Sequence, residues 1–186
     1  MNLRQLPNAI TCVRMLLVLP LVWGLHAGDY RTTLAIALVA GVSDALDGWL
    51  AKRFGWQTWL GGVLDPIADK LLLDASFIGL WMAGAIPGWL AALVVGRDVV
   101  IVAGATAYHF RVGKVEGNPT LLSKATTVVQ ILMVLALLVG LAWRPLPAIA
   151  SVGLTWSIAA LTLASGIDYV VRWSLRARNA LRAKRG

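Results

Sequence analysis

The sequence is poor in cysteine and in charge. Its 186 residues include a single cysteine, Cys12, which excludes an internal disulfide framework. Because Cys12 lies in an apolar run, we expect it to be an inert packing residue. Charged residues make up only 14% of the chain and hydrophobic residues 59%, with a mean hydropathy of +0.75. A soluble domain of this length has no interior large enough for so much apolar surface, so the composition predicts an integral membrane protein.

Acidic residues are also scarce, with nine against 17 basic ones and a net charge of +8. A basic chain can bind nucleic acid, but no aromatic-basic interleaving or nucleic-acid motif accompanies this charge, so we expect no nucleic-acid partner. A basic tail at about 172–186 carries much of this positive charge. We interpret the tail as a topology signal that contacts anionic headgroups. Its six basic residues are Arg172, Arg176, Arg178, Arg182, Lys184 and Arg185.

Long apolar runs predict an all-α bundle of six transmembrane helices, each near the ~20 residues that a bilayer requires. Gly and Pro mark most of the breaks between them, and the whole of 1–186 is predicted to form one domain. The first run is predicted to be kept as a membrane helix rather than cleaved as a signal peptide, because Arg14 interrupts it. The predicted spans are Asn8–Leu25, Thr32–Phe54, Leu60–Ala85, Gly88–Phe110, Thr120–Trp143 and Ala148–Val171.

Basic residues predict the orientation of this bundle. With the N-terminus inside, the inner segments hold twelve of them and the outer loops only Arg31 and Arg144. The positive-inside rule therefore places both termini in the cytoplasm. We expect a multi-pass protein of the bacterial inner membrane.

Two pairs of aspartates interrupt the second and third runs. Asp44 and Asp47 are three residues apart, and Asp65 and Asp69 are four apart, so each pair shares a helix face. An ionised carboxylate at membrane depth costs a few kcal/mol or more, so four together imply compensation. Hard divalent cations prefer oxygen ligands and would supply it. A cation or proton transporter that uses these aspartates is the alternative from a different class of protein.

Three other charged positions have competing interpretations. Arg14 either snorkels to the cytoplasmic interface or pairs with an acid inside the bundle. Arg97 is either a structural ion-pair partner of Asp98 or a binding site for the anionic group of a ligand. Asp98 points about 100° away from Arg97 on a helix, so it need not be the partner.

The aspartates fall into a pattern that resembles the CDP-alcohol phosphotransferase family. That family carries Asp-x-x-Asp-Gly-x-x-Ala-Arg, eight residues, and then Gly-x-x-x-Asp-x-x-x-Asp. The chain departs from it at Lys52, where the family has Arg, although Arg53 follows directly. The segment from Pro7 to Arg14 is similar to the family's opening segment. Seven positions over 26 residues match the pattern, namely Asp44, Asp47, Gly48, Ala51, Gly61, Asp65 and Asp69.

The resemblance implies transfer of a substituted phosphate from CDP-diacylglycerol to an alcohol, with release of CMP. It implies one or two Mg²⁺ or Mn²⁺ ions on Asp44, Asp47, Asp65 and Asp69, with Asp69 as general base. Membrane lipids and a second copy of the chain, as a homodimer, are the implied partners. The implied donor-binding residues are Asp44, Gly48, Ala51, Lys52, Arg53, Gly61 and Asp65.

The acceptor alcohol is less closely defined by the resemblance. The segments around Arg97–Asp98 and Ser123–Lys124 are similar to eukaryotic-type cardiolipin synthases, which implies phosphatidylglycerol as acceptor. Glycerol 3-phosphate, giving phosphatidylglycerophosphate, is the alternative. Arg97 and Lys124 are the residues expected to bind an acceptor phosphate in either case.

Overall fold

The computed structural model describes residues 6–55, 59–111 and 120–183, and within these ranges the chain forms six α-helices and no strand. The predicted all-α class is therefore confirmed. The helices are α1 (Leu6–Ala27), α2 (Tyr30–Phe54), α3 (Trp59–Met82), α4 (Gly88–Arg111), α5 (Leu121–Ala142) and α6 (Ala148–Ala183).

Within the described ranges, five of the helices are long and apolar enough to cross a membrane. The exception is α3, because it carries three aspartates and a lysine. Large apolar side chains also face outward, and Leu19 and Trp23 of α1 are 71% and 75% exposed. Such surface is suited to lipid rather than to water. The chain is therefore a multi-pass membrane protein.

Local sequence explains where several helices begin and end. Gly28, Gly55 and Gly84 follow α1, α2 and α3 with φ of 74°, 66° and 72°, a conformation that only glycine adopts readily. Asp29 precedes α2, and its carboxylate accepts a hydrogen bond from the Thr32 backbone N–H at 3.2 Å. The side-chain hydroxyl and the backbone N–H of Thr32 hold the pKa of Asp29 below its usual value.

The helices form two compact units. The first comprises the described residues within Met1–Pro87 and Leu132–Leu146, and the second those within Gly88–Ile131 and Pro147–Gly186. In the first unit α1 packs against both α2 and α3, and in the second α4 packs against α6. The prediction of a single domain over 1–186 stays a prediction.

Two glycines allow α1 to approach its neighbours closely. A Cβ atom added at Gly24 of α1 would collide with the hydroxyl of Thr33 on α2. One added at Gly79 of α3 would collide with the side chain of Leu25 on α1. This close packing fixes α1 against both of the helices that carry the aspartates.

Arg31 connects two loops at one end of the first unit. Its Nε donates to the backbone carbonyl of Ala142 at 3.5 Å, and its guanidinium lies 5.8 Å from the centre of the Trp143 ring. The start of α2 and the end of α5 therefore lie together.

The structure corrects two expectations about individual segments. Cys12 is exposed, which contradicts the prediction that it is an inert packing residue. Its neighbours Thr11 and Arg14 are buried instead, which turns Cys12 outward on α1. The last helix also continues to Ala183, past the predicted span end at Val171, so much of the basic tail is helical.

Candidate functional site

The four aspartates lie on two helices that both contact α1. Asp44 and Asp47 occupy the second half of α2, and Asp65 and Asp69 occupy the first half of α3. Because α1 packs against both helices, a side chain from α1 can reach both pairs. Arg14 is that side chain.

Arg14 forms ion pairs with three of the four aspartates. Its Nη1 lies 2.7 Å from Oδ1 of Asp44 and 2.6 Å from Oδ1 of Asp69. Its Nη2 donates to Oδ2 of Asp47 at 2.5 Å. The Arg14 side chain is completely buried. Of the two interpretations of Arg14, the structure supports pairing with acids inside the bundle and not snorkelling.

Thr11 contacts the fourth aspartate. Its Oγ1 donates to Oδ1 of Asp65 at 2.6 Å. Thr11 and Arg14 are three residues apart and share the inward face of α1, so one helix face contacts all four carboxylates. The sequence contained this signal only as a similarity of the opening segment to the family, and no partner could be assigned to Thr11 from it.

The aspartates differ sharply in exposure. The side chain of Asp47 is only 3% exposed, whereas those of Asp44 and Asp69 are 44% and 47% exposed. The cluster therefore has a closed inner side, formed by Arg14 and Asp47, and an open outer side, formed by Asp44 and Asp69. A ligand that reaches the cluster meets the open side first.

The two residues expected to bind an acceptor belong to the second unit. Arg97 of α4 is buried, and its Nη1 donates to Oδ1 of Asp98 at 2.5 Å. The expectation that Asp98 need not be the partner of Arg97 is therefore wrong. Lys124, in the first turn of α5, is exposed.

Arg97 has two further partners and lines a cavity. Its Nη2 donates to the hydroxyl groups of Ser123 at 2.8 Å and of Ser165 at 2.7 Å. The cavity, of about 410 Å³, lies between α4 and α6, and most of its other lining residues are apolar, among them Leu93, Val100 and Ile167.

The sequence profile described as CDP-alcohol phosphatidyltransferase matches residues 4–167, which include both aspartate pairs, Thr11, Arg14 and Arg97. The match covers most of the chain. The chain belongs to the CDP-alcohol phosphatidyltransferase family.

Curated relatives of this CDP-alcohol phosphatidyltransferase family member carry two kinds of name. A probable cardiolipin synthase (CMP-forming) of Drosophila melanogaster is 31% identical over 91% of this chain and 58% of its own length. A cardiolipin synthase/mitochondrial hydrolase fusion protein of Schizosaccharomyces pombe is 33% identical over 91% of this chain and 31% of its own length. A probable phosphatidylglycerophosphate synthase of Mycobacterium tuberculosis is 32% identical over 92% of this chain and 82% of its own length. The chain thus spans somewhat over half of the Drosophila protein and about a third of the S. pombe protein.

The remaining positions of the family motif are only partly described. A Cβ atom added at Gly48 would meet nothing within 4 Å among the described atoms, so Gly48 leaves open space and no described helix approaches it closely. Arg53, near the end of α2, is exposed. The side-chain surroundings of Ala51, Lys52 and Gly61 lie outside the described part of the chain.

The donor set fits a divalent cation in its chemistry. Four carboxylates and one guanidinium, in their ionised forms, leave a net charge of −3, which favours a hard cation with oxygen ligands. Each contact of Arg14 or Thr11 uses one of the two oxygens of an aspartate carboxylate. In the described residues, no three acidic or histidine side chains are already grouped as a metal requires. The guanidinium of Arg14 lies among three of the carboxylates instead.

Proposed function

We propose that this chain transfers the phosphatidyl group of CDP-diacylglycerol to an alcohol and releases CMP. The single observation that carries this proposal is the cluster itself. Four aspartates at the family's spacing are held by one face of α1, and two of them are about half exposed on one side. That arrangement suits divalent cations that in turn bind an anionic diphosphate, and a purely structural role does not require the exposed carboxylates.

The residues divide the chemistry between them. Asp44, Asp47, Asp65 and Asp69 would hold one or two Mg²⁺ or Mn²⁺ ions, which when bound neutralise the diphosphate and the departing CMP. The half-exposed carboxylate of Asp69 would accept the proton of the acceptor hydroxyl. The hydroxyl oxygen then forms a bond to the lipid-linked phosphorus, and the bond from that phosphorus to the CMP oxygen breaks.

For the acceptor we propose phosphatidylglycerol, which would make the product cardiolipin. Relatives named for cardiolipin synthesis support this choice. So does the cavity beside Arg97, which is an open groove, because apolar residues next to a buried cation suit an acyl chain joined to a phosphate. Glycerol 3-phosphate is the alternative, supported by the relatives named phosphatidylglycerophosphate synthase.

The first prediction tests the reaction and its acceptor together. Purified chain should release CMP from labelled CDP-diacylglycerol in the presence of Mg²⁺ when phosphatidylglycerol is supplied, and excess chelator should abolish this release. Glycerol 3-phosphate, serine and inositol phosphate are offered separately as controls, with the lipid products resolved. Turnover with glycerol 3-phosphate alone would establish the alternative acceptor. Full turnover in chelator contradicts the metal site, and no CMP release under any condition favours the transporter hypothesis.

We also propose that the chain lies in the bacterial inner membrane with both termini in the cytoplasm, and that it is a homodimer. The uneven distribution of basic residues supports the orientation. The contact of Arg31 with the end of α5 supports an arrangement in which both outer loops share one side. Family membership alone supports the dimer, and a monomeric mass in mild detergent would exclude it.

The second prediction tests this orientation. Cys12→Ser removes the only cysteine, so single cysteines can be added at exposed positions in that background. In intact cells, an impermeant maleimide should label Arg31→Cys and Arg144→Cys, whereas Arg176→Cys should react only after the membrane is opened. Labelling of Arg176→Cys in intact cells would reverse the topology and place the carboxylates on the outer side.

The third prediction concerns the acceptor phosphate. Arg97→Ala should raise the KM for the acceptor about 10- to 100-fold, the range expected for losing a hydrogen bond to a charged group, with little change in the donor KM. Arg172→Ala is the control, because Arg172 forms an exposed pair with Asp168 within α6 at 2.6 Å. If both KM values stay unchanged and only thermal stability falls, Arg97 serves its partners Asp98, Ser123 and Ser165 and binds no substrate.

A further inference from the structure

The guanidinium of Arg14 occupies the place where carboxylates from α2 and α3 converge. It is completely buried, it contacts three acids that lie 30 to 55 residues away along the chain, and no water-exposed atom of Arg14 remains to stabilise its charge. Among the described residues, the acids that pair with this charge are ones that the proposed function assigns to a metal.

We propose that Arg14 is a positioning residue and an internal counter-ion: it holds Asp44, Asp47 and Asp69 together in the metal-free protein, and an incoming divalent cation competes with it for their oxygens. The inference rests on the proposed metal site. It adds a residue that the motif of aspartates and glycines does not contain, and it assigns that residue to the metal-free state.

The geometry suits a guanidinium better than an ammonium group. Three carboxylates that face one point repel each other unless a cation lies between them. Two different nitrogens of Arg14 make these contacts, since Nη1 pairs with Asp44 and Asp69 while Nη2 pairs with Asp47. A planar fork can hold these directions at once, whereas a lysine provides a single point of charge.

The difference in exposure predicts which contacts a metal displaces. Asp47 is buried beside Nη2, so this pair has no access from outside. The Nη1 contacts involve Asp44 and Asp69, which are both about half exposed. A cation that enters from the open side therefore takes the oxygens of Asp44 and Asp69 that Nη1 holds. The pair between Nη2 and Oδ2 of Asp47 remains and keeps Arg14 in place, which leaves the other oxygen of Asp47 for the cation.

The test measures metal affinity directly. Full-length chain in detergent is stripped of metal, and Mn²⁺ binding is followed by electron paramagnetic resonance beside thermal unfolding with and without Mn²⁺. Arg14→Met removes the competing charge, so Mn²⁺ should bind roughly tenfold more tightly than in the wild type. The metal-free variant should unfold at a lower temperature, and Mn²⁺ should raise its Tm by more than it raises the wild-type Tm.

Arg14→Lys keeps a positive charge but not the planar guanidinium, so its Mn²⁺ affinity should fall between those of the wild type and Arg14→Met. If Arg14→Met does not fold, Arg14→Lys tests the proposal instead. Arg172→Met, which removes an exposed ion-paired arginine, should leave both measurements unchanged. The proposal is overturned if a folded Arg14 variant has unchanged Mn²⁺ affinity and loses the same Tm with and without metal. Arg14 is then only a structural ion-pair partner. Lost Mn²⁺ binding in a folded variant also overturns it. Absence of Mn²⁺ binding by the wild type itself would overturn the metal site, and the counter-ion role with it.

Discussion

Asp69→Asn should lower kcat by roughly 10²–10⁴, the usual range for loss of a general base. Asparagine keeps the size of the side chain and can still accept a hydrogen bond from Arg14, but it cannot take a proton. Because the Asp69 side chain is about half exposed, the substitution should change the Tm little and leave donor binding largely intact. The measurement is single-turnover CMP release together with the Kd for the donor.

The control for Asp69→Asn is Asp168→Asn. Asp168 is also an aspartate paired with an arginine, but its partner Arg172 lies on the same helix and is exposed. This control should leave kcat unchanged. Near-normal turnover in Asp69→Asn would show that the base lies elsewhere and that the role implied by the family does not apply to Asp69.

Asp47→Asn should have a different effect, because Asp47 lies on the closed side of the cluster. The substitution removes the charge that faces Nη2 of Arg14 at 2.5 Å in a buried environment. Removing one partner of a buried pair typically costs about 3–5 kcal/mol, and the two acids left to Arg14 reduce this to about 1–3 kcal/mol. We expect a clear fall in Tm together with at least ~10²-fold weaker metal-dependent activity.

Asp44→Asn separates the loss of metal-dependent activity from the fall in Tm. Its carboxylate also pairs with Arg14 but is 44% exposed, so solvent can compensate the lost charge. Metal and donor binding should therefore weaken as in Asp47→Asn, with a much smaller fall in Tm. Equal losses of Tm in the two variants would contradict the division of the cluster into a closed and an open side.

Hydropathy predicted the helices well because five of the six described helices have a long apolar run. The structure places α1 at Leu6–Ala27 and α3 at Trp59–Met82, within three residues of the predicted spans at either end. The end of α6 was missed by twelve residues, from 171 to 183, because hydropathy reports where a helix leaves the membrane and not where it ends. The segment beyond Val171 is rich in Leu, Ala and Arg, which are good helix formers.

The candidate site was predictable only in part. The spacing of the aspartates placed each pair on one helix face, and in the structure three of the four carboxylates contact the guanidinium of Arg14. The partners of Arg14 could not be chosen from the sequence, because an arginine that interrupts an apolar run suits both snorkelling and pairing. Its contacts join residues 33 and 55 positions apart, and only the packing of α1 on α2 and α3 decides between the two.

The error about Arg97 has a simpler physical cause. The angle of 100° between successive residues describes the directions of their Cβ atoms, not the reach of a long side chain. Arg97 curves back to Asp98 because its buried charge needs an acid, and the adjacent carboxylate is buried as well. The direction of its Cβ atom therefore does not decide which acid the guanidinium of Arg97 reaches.

The pairing of Arg14 also bears on how the protein is assembled in time. All three of its acidic partners follow it in the sequence, on helices that leave the ribosome after α1. If α1 enters the bilayer first, it carries an unpaired positive charge that costs about 2.5–3.5 kcal/mol near the membrane centre. The Leu, Ile and Val residues of α1, at about −0.3 to −0.6 kcal/mol each, offset that cost. The apolar composition of α1 thus offsets the cost of its charge until Asp47 and Asp69 follow to neutralise it.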